Sequence, residues 1–288
     1  MQPFTLEFGR YKLDLGPKTC IMGILNATPD SFSDGGRFYT FETAVQQGLK
    51  LVEDGAHILD IGGESSRPFA ATVSEQEELD RVIPVIKALS KQIPVPISID
   101  TVKSGVAKQA LDAGASIIND ISSFEKDPAM AELAAQRQVP VILMHMKGTP
   151  KTMQVSPDYD DLMTEITTYL AARADYAVKK GVKKEHIILD PGIGFGKTVE
   201  HNLVLINHLE KISALGFPIL VGPSRKSFIQ KILSGKENAS VGPDHIRTEY
   251  GTLAAVAASI MKGAHIVRVH DVEKLTSFSR ILDSIRNA

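Results

Sequence analysis

Polar side chains end eight short apolar runs of this chain, and several of them could bind an anion or a polar ring. Arg268 and His270 are two residues apart, so on a strand their side chains would point the same way and could bind one anion. Carboxylates and an amide, with a lysine, would hold a planar heterocycle that carries several N–H groups. The oxygen-rich set also suits Mg2+ with bound water, whereas the His and Cys spacing of a zinc site is missing. The residues that end the runs are Asn26, Asp60, Asp100, Asn119, His145, Asp190, Ser224 and Arg268.

The segment after Asn26 combines carboxylates, hydroxyls and an aromatic ring. Asp30 and Asp34 flank Phe32, and two glycines follow. This composition is typical of a mobile lid that brings a ring and oxygen ligands over a substrate, and a solvated loop is the alternative. Asp60 also has two interpretations, because it could bind a ligand or only hold the backbone N–H groups of the Gly-Gly-Glu segment that follows it.

Residues 190–198 imitate a phosphate-binding P-loop, but Pro191 stands where such a loop needs its first glycine. Proline cannot adopt a positive φ and offers no backbone N–H to a phosphate. We therefore expect a tight glycine-rich turn that displays Phe195 and holds Asp190 at the rim. A P-loop nucleoside triphosphatase is the alternative.

A basic segment, Ser224-Arg225-Lys226, follows the seventh apolar run. Barrels of alternating strands and helices often bind phosphate after their last two strands, so this segment and the Arg268 and His270 pair favour an anion site. Arg225 could instead pair with a neighbouring acid, and His270 could be a rim histidine whose hydrogen bonds are satisfied.

The elements that must position these residues alternate along the chain. Each run is continuously apolar, as in a parallel strand buried on both faces, and a segment of helical period separates it from the next. This pattern predicts an α/β fold, a (β/α)8 TIM barrel in one domain over residues 1–288, with the polar strand ends on one rim. Alternating apolar residues near the N-terminus predict a β-hairpin that caps the opposite end. The strands are expected at 20–25, 57–59, 96–99, 116–118, 141–144, 187–189, 218–222 and 266–267, and the helices at 41–54, 75–91, 103–113, 128–137, 158–180, 200–215, 248–262 and 272–286.

Composition excludes several classes of protein. The 32 basic and 34 acidic side chains leave no global charge excess that would draw the chain to nucleic acid or to a membrane surface. Cys20 is the single cysteine, so no intrachain disulfide is possible and a buried apolar role is expected. With no signal peptide or transmembrane run, the expected location is cytoplasmic.

Eight segments, in order along the chain, resemble the dihydropteroate synthase family. They read NATPDSFSDGG, GGESSRP, SIDT, IND, MHMKGTP, DPGIGFGK, GPSRKS and VRVHDV. The resemblance implies a TIM barrel that joins 6-hydroxymethyl-7,8-dihydropterin diphosphate to para-aminobenzoate, giving 7,8-dihydropteroate and diphosphate in folate biosynthesis. It also implies Mg2+ as cofactor, sulfonamides as competitors of para-aminobenzoate, and a homodimer.

The same resemblance implies roles for individual residues. Asn26 would ligate Mg2+ near the diphosphate, which Arg268 and His270 would bind. The pterin would be held by Asp100, Asn119, Asp190 and Lys226, with Met144 against its face and Gly194 nearby. Phe32, Ser66, Arg67, Pro68, Phe195 and Ser224 would shape the para-aminobenzoate pocket. The catalytic set would be Asp100, Lys226, Arg268 and His270, with Asp30 or Asp34. The resemblance also implies that the loops after the first two strands, 26–39 and 62–74, order only over bound diphosphate. Ser66 in the second loop stands where the family usually has Thr, and Phe69 stands where it often has Gly, so a large ring replaces a flexible residue there.

These residue types imply an SN1-like reaction, in which diphosphate leaves before the neutral arylamine attacks and no protein nucleophile is required. Two further alternatives remain open. A pterin-binding methyltransferase would share the acid and amide contacts but would not need a diphosphate clamp. A binding or regulatory barrel without catalysis would keep pterin binding and lack turnover.

Overall fold

Eight parallel strands form the central sheet of the protein. The computed structural model describes residues 1–28, 41–65, 72–149, 152–153, 155, 157–235 and 241–288. The strands are β3 (Cys20–Asn26), β4 (Ile58–Gly62), β5 (Ile97–Asp100), β6 (Ile117–Asp120), β7 (Val141–Met144), β8 (Ile187–Asp190), β9 (Leu220–Val221) and β10 (Ile266–Val269). Their order in the sheet is β8-β7-β6-β5-β4-β3-β10-β9. A parallel bridge between Leu189 and Ile219 brings β8 and β9 together, so the sheet curls into a nearly closed barrel and the predicted fold class is confirmed.

An antiparallel hairpin closes the N-terminal end of this barrel. Strands β1 (Phe4–Phe8) and β2 (Tyr11–Leu15) pair with each other. Leu6 and Leu15 are buried in a cluster that includes the inward-facing residues at the start of the barrel strands. The ring of His265 contacts the carbonyl oxygen of Gln2 at 2.9 Å and thereby ties the hairpin to β10. The predicted cap is therefore confirmed.

Helices surround the barrel where the sequence period predicts them, with three differences. The observed helices are α1 (Phe41–Glu53), α2 (Glu75–Leu89), α3 (Ser104–Ala113), α4 (Ala129–Arg137), α5 (Leu162–Lys179), α6 (Val199–Asn207), α7 (Leu209–Ser213), α8 (Ser227–Ser234), α9 (Ile246–Met261) and α10 (Val272–Arg286). The helix predicted over 200–215 is two helices, because the backbone leaves the helical region at His208 (φ −118°, ψ 31°). The helix predicted from 158 begins at Leu162, after the N-cap Asp161. Helix α8 was not predicted.

The fourth barrel strand, predicted over 116–118, continues through Asn119 to Asp120. Asp120 is fully buried, and its carboxylate accepts hydrogen bonds from the backbone N–H groups of Ser122 (2.8 Å) and Phe124 (2.9 Å). Ser123 and Phe124 have positive φ, at 52° and 69°. Non-glycine residues adopt positive φ only at a cost in free energy. The carboxylate of Asp120 stabilises this strained turn, so its role is structural.

Cys20 is 6% exposed, and burial raises the pKa of its thiol to about 12. The predicted apolar role of this cysteine is confirmed. Within the described segments, none of the helices has the length and apolar character needed to cross a bilayer. The cytoplasmic location stays a prediction.

Candidate active site

The polar strand ends lie side by side at the C-terminal end of the barrel. Asn26 on β3 is opposite Gly62 on β4, Gly62 is opposite Asp100 on β5, and Asp100 is opposite Asn119 on β6. Parallel strands that end in register must place these side chains on one rim, which is the end of such barrels where active sites form.

The guanidinium of Arg268 bridges two carboxylates from other strands. Its Nε donates to Oδ2 of Asp60 at 2.6 Å, and Nη2 donates to Oδ2 of Asp100 at 2.8 Å. The side-chain amide of Asn119 donates to the same Asp60 oxygen at 3.1 Å. Asp60 therefore accepts its hydrogen bonds from the side chains of Arg268 and Asn119. The interpretation that it holds the backbone N–H groups of the following Gly-Gly-Glu segment was wrong.

Burial and mutual charge shift the acids of this cluster. Burial is the largest cause that raises the pKa of Asp100 to about 7, while Arg268 opposes the shift and Asp60 and Glu78 add to it. Burial also raises the pKa of Asp190 to about 6, against the hydrogen bond from Gly192 and the charge of Lys226. Lys226 and Arg268 influence both acids, so the four groups share one electrostatic environment. Perturbed acids beside fixed cations are typical of a binding or catalytic site.

The turn after β8 uses its own N–H groups and its lysine internally. The N–H of Gly192 donates to Oδ1 of Asp190 at 2.7 Å, and that of Gly194 donates to Oδ1 of Asn202 at 2.7 Å. Lys197 is 2% exposed and donates to the carbonyl oxygen of Phe195 at 2.9 Å. A phosphate cradle needs these groups directed at the ligand, so the P-loop alternative is wrong.

Phe195 is not displayed to solvent as the sequence predicted. The ring is 7% exposed and packs in a small cluster with Met144 and Met153. Lys226 is the N-cap residue of helix α8. Its ammonium lies 3.9 Å from the centre of the Phe195 ring. Gly194 is close to the same lysine, since a Cβ placed there would lie 2.8 Å from its Cδ. The ring therefore forms a wall that joins the turn to Lys226.

Ser224 and His270 contact each other after the ends of the neighbouring strands β9 and β10. Oγ of Ser224 lies 3.0 Å from Nδ1 of His270, and it accepts the backbone N–H of that histidine at 3.3 Å. Arg225 lies outside this group, because it pairs with Asp244 at 2.8 Å and with Glu249 at 3.5 Å. The structural alternative for Arg225 is thus confirmed.

Several predicted site residues lie outside the described part of the chain. These are Asp30, Phe32, Asp34, Ser66, Arg67 and Pro68. Among the residues with described positions, no group of three or more His, Cys, Asp or Glu side chains could hold a metal ion. The half-buried amide of Asn26 still fits Mg2+, because this ion commonly takes one or two protein oxygens together with phosphate oxygens and water.

Two features of the site were missed by reasoning from the sequence. The buried contact between Lys197 and His145 was hidden, because Gly-Lys-Thr was considered only as a phosphate-binding pattern. Lys103 was not considered either, yet it joins Glu64, which follows β4, at 2.6 Å to the buried Glu78 of helix α2. A lysine followed by a helix start carries no local signal of either contact.

A family model described as pterin binding enzyme matches residues 22–270. A dihydropteroate synthase of Synechocystis sp. is 50% identical over 98% of this chain and 96% of its own length. The chain belongs to the dihydropteroate synthase family. Members of this family are transferases.

Solved structures of family members have the same fold. The dihydropteroate synthase of Yersinia pestis, crystallised with a sulfonamide drug, matches with a TM-score of 0.92 and 44% identity over 99% of this chain and 100% of that chain. The Xanthomonas albilineans dihydropteroate synthase with 4-aminobenzoic acid matches with a TM-score of 0.89 and 40% identity over the whole of both chains. The family likeness therefore extends over the barrel, the hairpin and the rim.

Proposed function

We propose that this chain joins 6-hydroxymethyl-7,8-dihydropterin diphosphate to para-aminobenzoate, releasing 7,8-dihydropteroate and diphosphate. The observation that carries the proposal is the Arg268 guanidinium held between Asp60 and Asp100, with Asp190 and Lys226 in the same field. Buried acids can accept the N–H groups of a pterin, and the cations can bind its diphosphate.

The reaction needs stabilisation of two developing charges. As the C–O bond to diphosphate breaks, the methylene carbon becomes positive and shares this charge with the pterin ring. The carboxylates of Asp100 and Asp190 stabilise the positive charge on that ring, and Arg268 and His270 stabilise the negative charge on the leaving diphosphate. Lys226 and the Phe195 ring would orient the pterin, with Met144 against its face. The neutral arylamine then attacks the methylene carbon and loses a proton.

Mg2+ belongs to this proposal as a cofactor that binds with the diphosphate. Asn26 is the described residue that would hold it, since it ends β3, the strand between β10, which carries Arg268, and β4, which carries Asp60. The chemistry that Mg2+ supplies is neutralisation of charge on the leaving diphosphate. Sulfonamides would compete for the para-aminobenzoate pocket, to which Ser224 and Phe195 contribute from the described residues.

A diphosphate-release assay with purified protein tests the proposal. We expect dihydropteroate to appear only when both substrates and Mg2+ are present, with diphosphate released as it forms. A methyltransferase would bind pterin without releasing diphosphate. A barrel without catalysis would bind pterin and give no product, so either result would reject the proposed reaction.

We also propose that the chain forms a homodimer through helices α6, α8 and α9. These helices line an apolar groove of about 440 Å³, and Leu203 and Ile232 at its edge are 47% and 48% exposed. Apolar side chains that border a groove in this way favour burial against a second copy. Sedimentation should give a dimer, and Ile232→Glu should shift it toward monomer. A native monomer at micromolar concentration would reject the dimer.

A further inference from the structure

Lys197 is a buried cation with neutral partners. Its ammonium lies 2.9 Å from the carbonyl oxygen of Phe195, 3.3 Å from the carbonyl oxygen of His145 and 3.0 Å from Nδ1 of the His145 ring. Over the described parts of the chain, no carboxylate lies within 4.0 Å of this nitrogen. Its three N–H groups therefore match three acceptors, and none of them is needed for charge pairing.

The three acceptors belong to two separate elements that pack closely. Phe195 lies in the turn after β8, and His145 is the first residue after β7. A Cβ at Gly192 would lie 1.9 Å from the carbonyl oxygen of His145, and a Cβ at Gly196 would lie 2.4 Å from that of Lys147. The turn thus rests directly on the chain after β7, and Lys197 connects the two surfaces.

The hydrogen bond from Lys197 holds Phe195, whose ring lines the site. The carbonyl group of Phe195 accepts from Lys197, while its ring packs on Met144 and meets the ammonium of Lys226. The turn contains three positive-φ glycines, since Gly192, Gly194 and Gly196 have φ of 71°, 84° and 63°. Other hydrogen bonds hold it at these glycines, whereas the carbonyl group of Phe195 is held by Lys197. Loss of the Lys197 contacts would therefore let the ring shift relative to Lys226.

We propose that Lys197 is a positioning residue for the reaction, acting through Phe195 to hold the wall of the pterin and para-aminobenzoate site. This inference rests on the proposed function. Burial lowers the pKa of Lys197 to about 7, and it lowers the pKa of the His145 imidazole to about 3, so this ring is a neutral acceptor. Acceptors that are all neutral give Lys197 hydrogen bonds without charge pairing, and this suits positioning better than electrostatic catalysis at the reacting atoms.

A double-mutant cycle tests the proposal. Lys197→Met keeps the length and apolar stem and removes the N–H groups, and Phe195→Ala removes the ring. In the native background we expect Lys197→Met to lower kcat/KM, per folded molecule, about 10- to 100-fold because of the lost hydrogen bonds. In the Phe195→Ala background the same change should lower it less than about twofold, because the group that Lys197 positions is gone. Lys183→Met, at an exposed lysine, is the control and should leave kcat/KM unchanged.

An equal fall of kcat/KM in both backgrounds would overturn the proposal. A loss of stability with kcat/KM per folded molecule unchanged would overturn it as well. Should Lys197→Met fail to fold, Lys197→Gln takes its place in the cycle, with a smaller fall of kcat/KM expected in the native background because its shorter amide keeps some of the hydrogen bonds. If neither variant folds, Lys197 serves folding and the proposal fails. Turnover of the native enzyme in the same assay reports on the proposed function separately.

Discussion

Asp60 and Arg268 are 208 residues apart in the chain, yet their side chains meet at 2.6 Å inside the barrel rim. Asp60 is fully buried, and its Oδ2 also accepts from Asn119. One carboxylate thus orients both a cation proposed to bind diphosphate and an amide proposed to bind pterin. Its second oxygen, Oδ1, is buried and has no hydrogen-bond partner within the described part of the protein. It is therefore free to accept from a ligand or a water molecule.

Replacing Asp60 should cost stability as well as activity. Asp60→Asn leaves the Arg268 charge buried with one carboxylate, and removing one partner of a buried ion pair costs about 3–5 kcal/mol. Urea unfolding measures this change. Asp112→Asn is the matched control, because the Asp112 pair with Arg137 is exposed at 52% and 37%. That change should cost less than about 1 kcal/mol. Equal losses in the two variants would contradict the assigned role.

Removing the guanidinium itself should lower turnover per folded molecule as well as stability, because Asp60 and Asp100 lose their shared cation. Arg268→Ala takes away a charged donor for the leaving diphosphate, and by analogy with a lost oxyanion donor we expect kcat to fall about 10²- to 10³-fold. Steady-state diphosphate release measures the effect, with Arg137→Ala as a control at an exposed arginine. Near-native turnover by Arg268→Ala would show that this residue does not stabilise the departing anion.

Asp190 should make stability and activity respond to pH in opposite directions. Burial raises its pKa from 3.8 to about 6, so the folded protein binds this proton more tightly than the unfolded chain. The resulting stability is fully present below pH 3.8 and is lost as the pH rises through about 6. Relative to Asp190→Asn, which cannot titrate, the native free energy of unfolding should fall by up to about 1.4 kcal/mol per pH unit in this window.

Pterin binding should strengthen over the same pH window, because the ionised carboxylate of Asp190 is the form that accepts a ring N–H. Urea unfolding and equilibrium pterin binding at a series of pH values measure the two trends. A free-energy difference between native protein and Asp190→Asn that does not change with pH would mean that Asp190 titrates as an ordinary exposed acid.

Two glycines with similar backbone angles should differ in their tolerance of alanine. Gly192 and Gly216 have φ of 71° and 77°, but a Cβ at Gly192 would lie 1.9 Å from a backbone oxygen. A Cβ at Gly216 would meet no described atom within 4 Å beyond its own chain neighbours. Gly216→Ala should cost about 1–2 kcal/mol, the strain of the left-handed conformation alone. Gly192→Ala adds overpacking and should cost at least about 3 kcal/mol in urea unfolding. Similar costs would mean that the turn can move away from His145.

The amino-acid sequence determined the features that depend on local patterns. A buried parallel strand must be apolar until it leaves the core, so the runs and their polar ends predicted eight strands and one rim. Pro191 likewise argued against a phosphate loop, and the structure agrees, because the turn directs its N–H groups at Asp190 and Asn202. These signals need only residues that are neighbours in the chain.

Tertiary structure alone decided which rim groups meet. The choice of Asp60 and Asp100 as partners of Arg268 depends on how far neighbouring strands are offset around the barrel, which no local pattern encodes. The same holds for the inward direction of Lys197 and for helix α8, a short helix whose apolar residues pack between α6 and α9. Period and composition specify which residues are buried, and the packing of distant elements specifies what each buried group contacts.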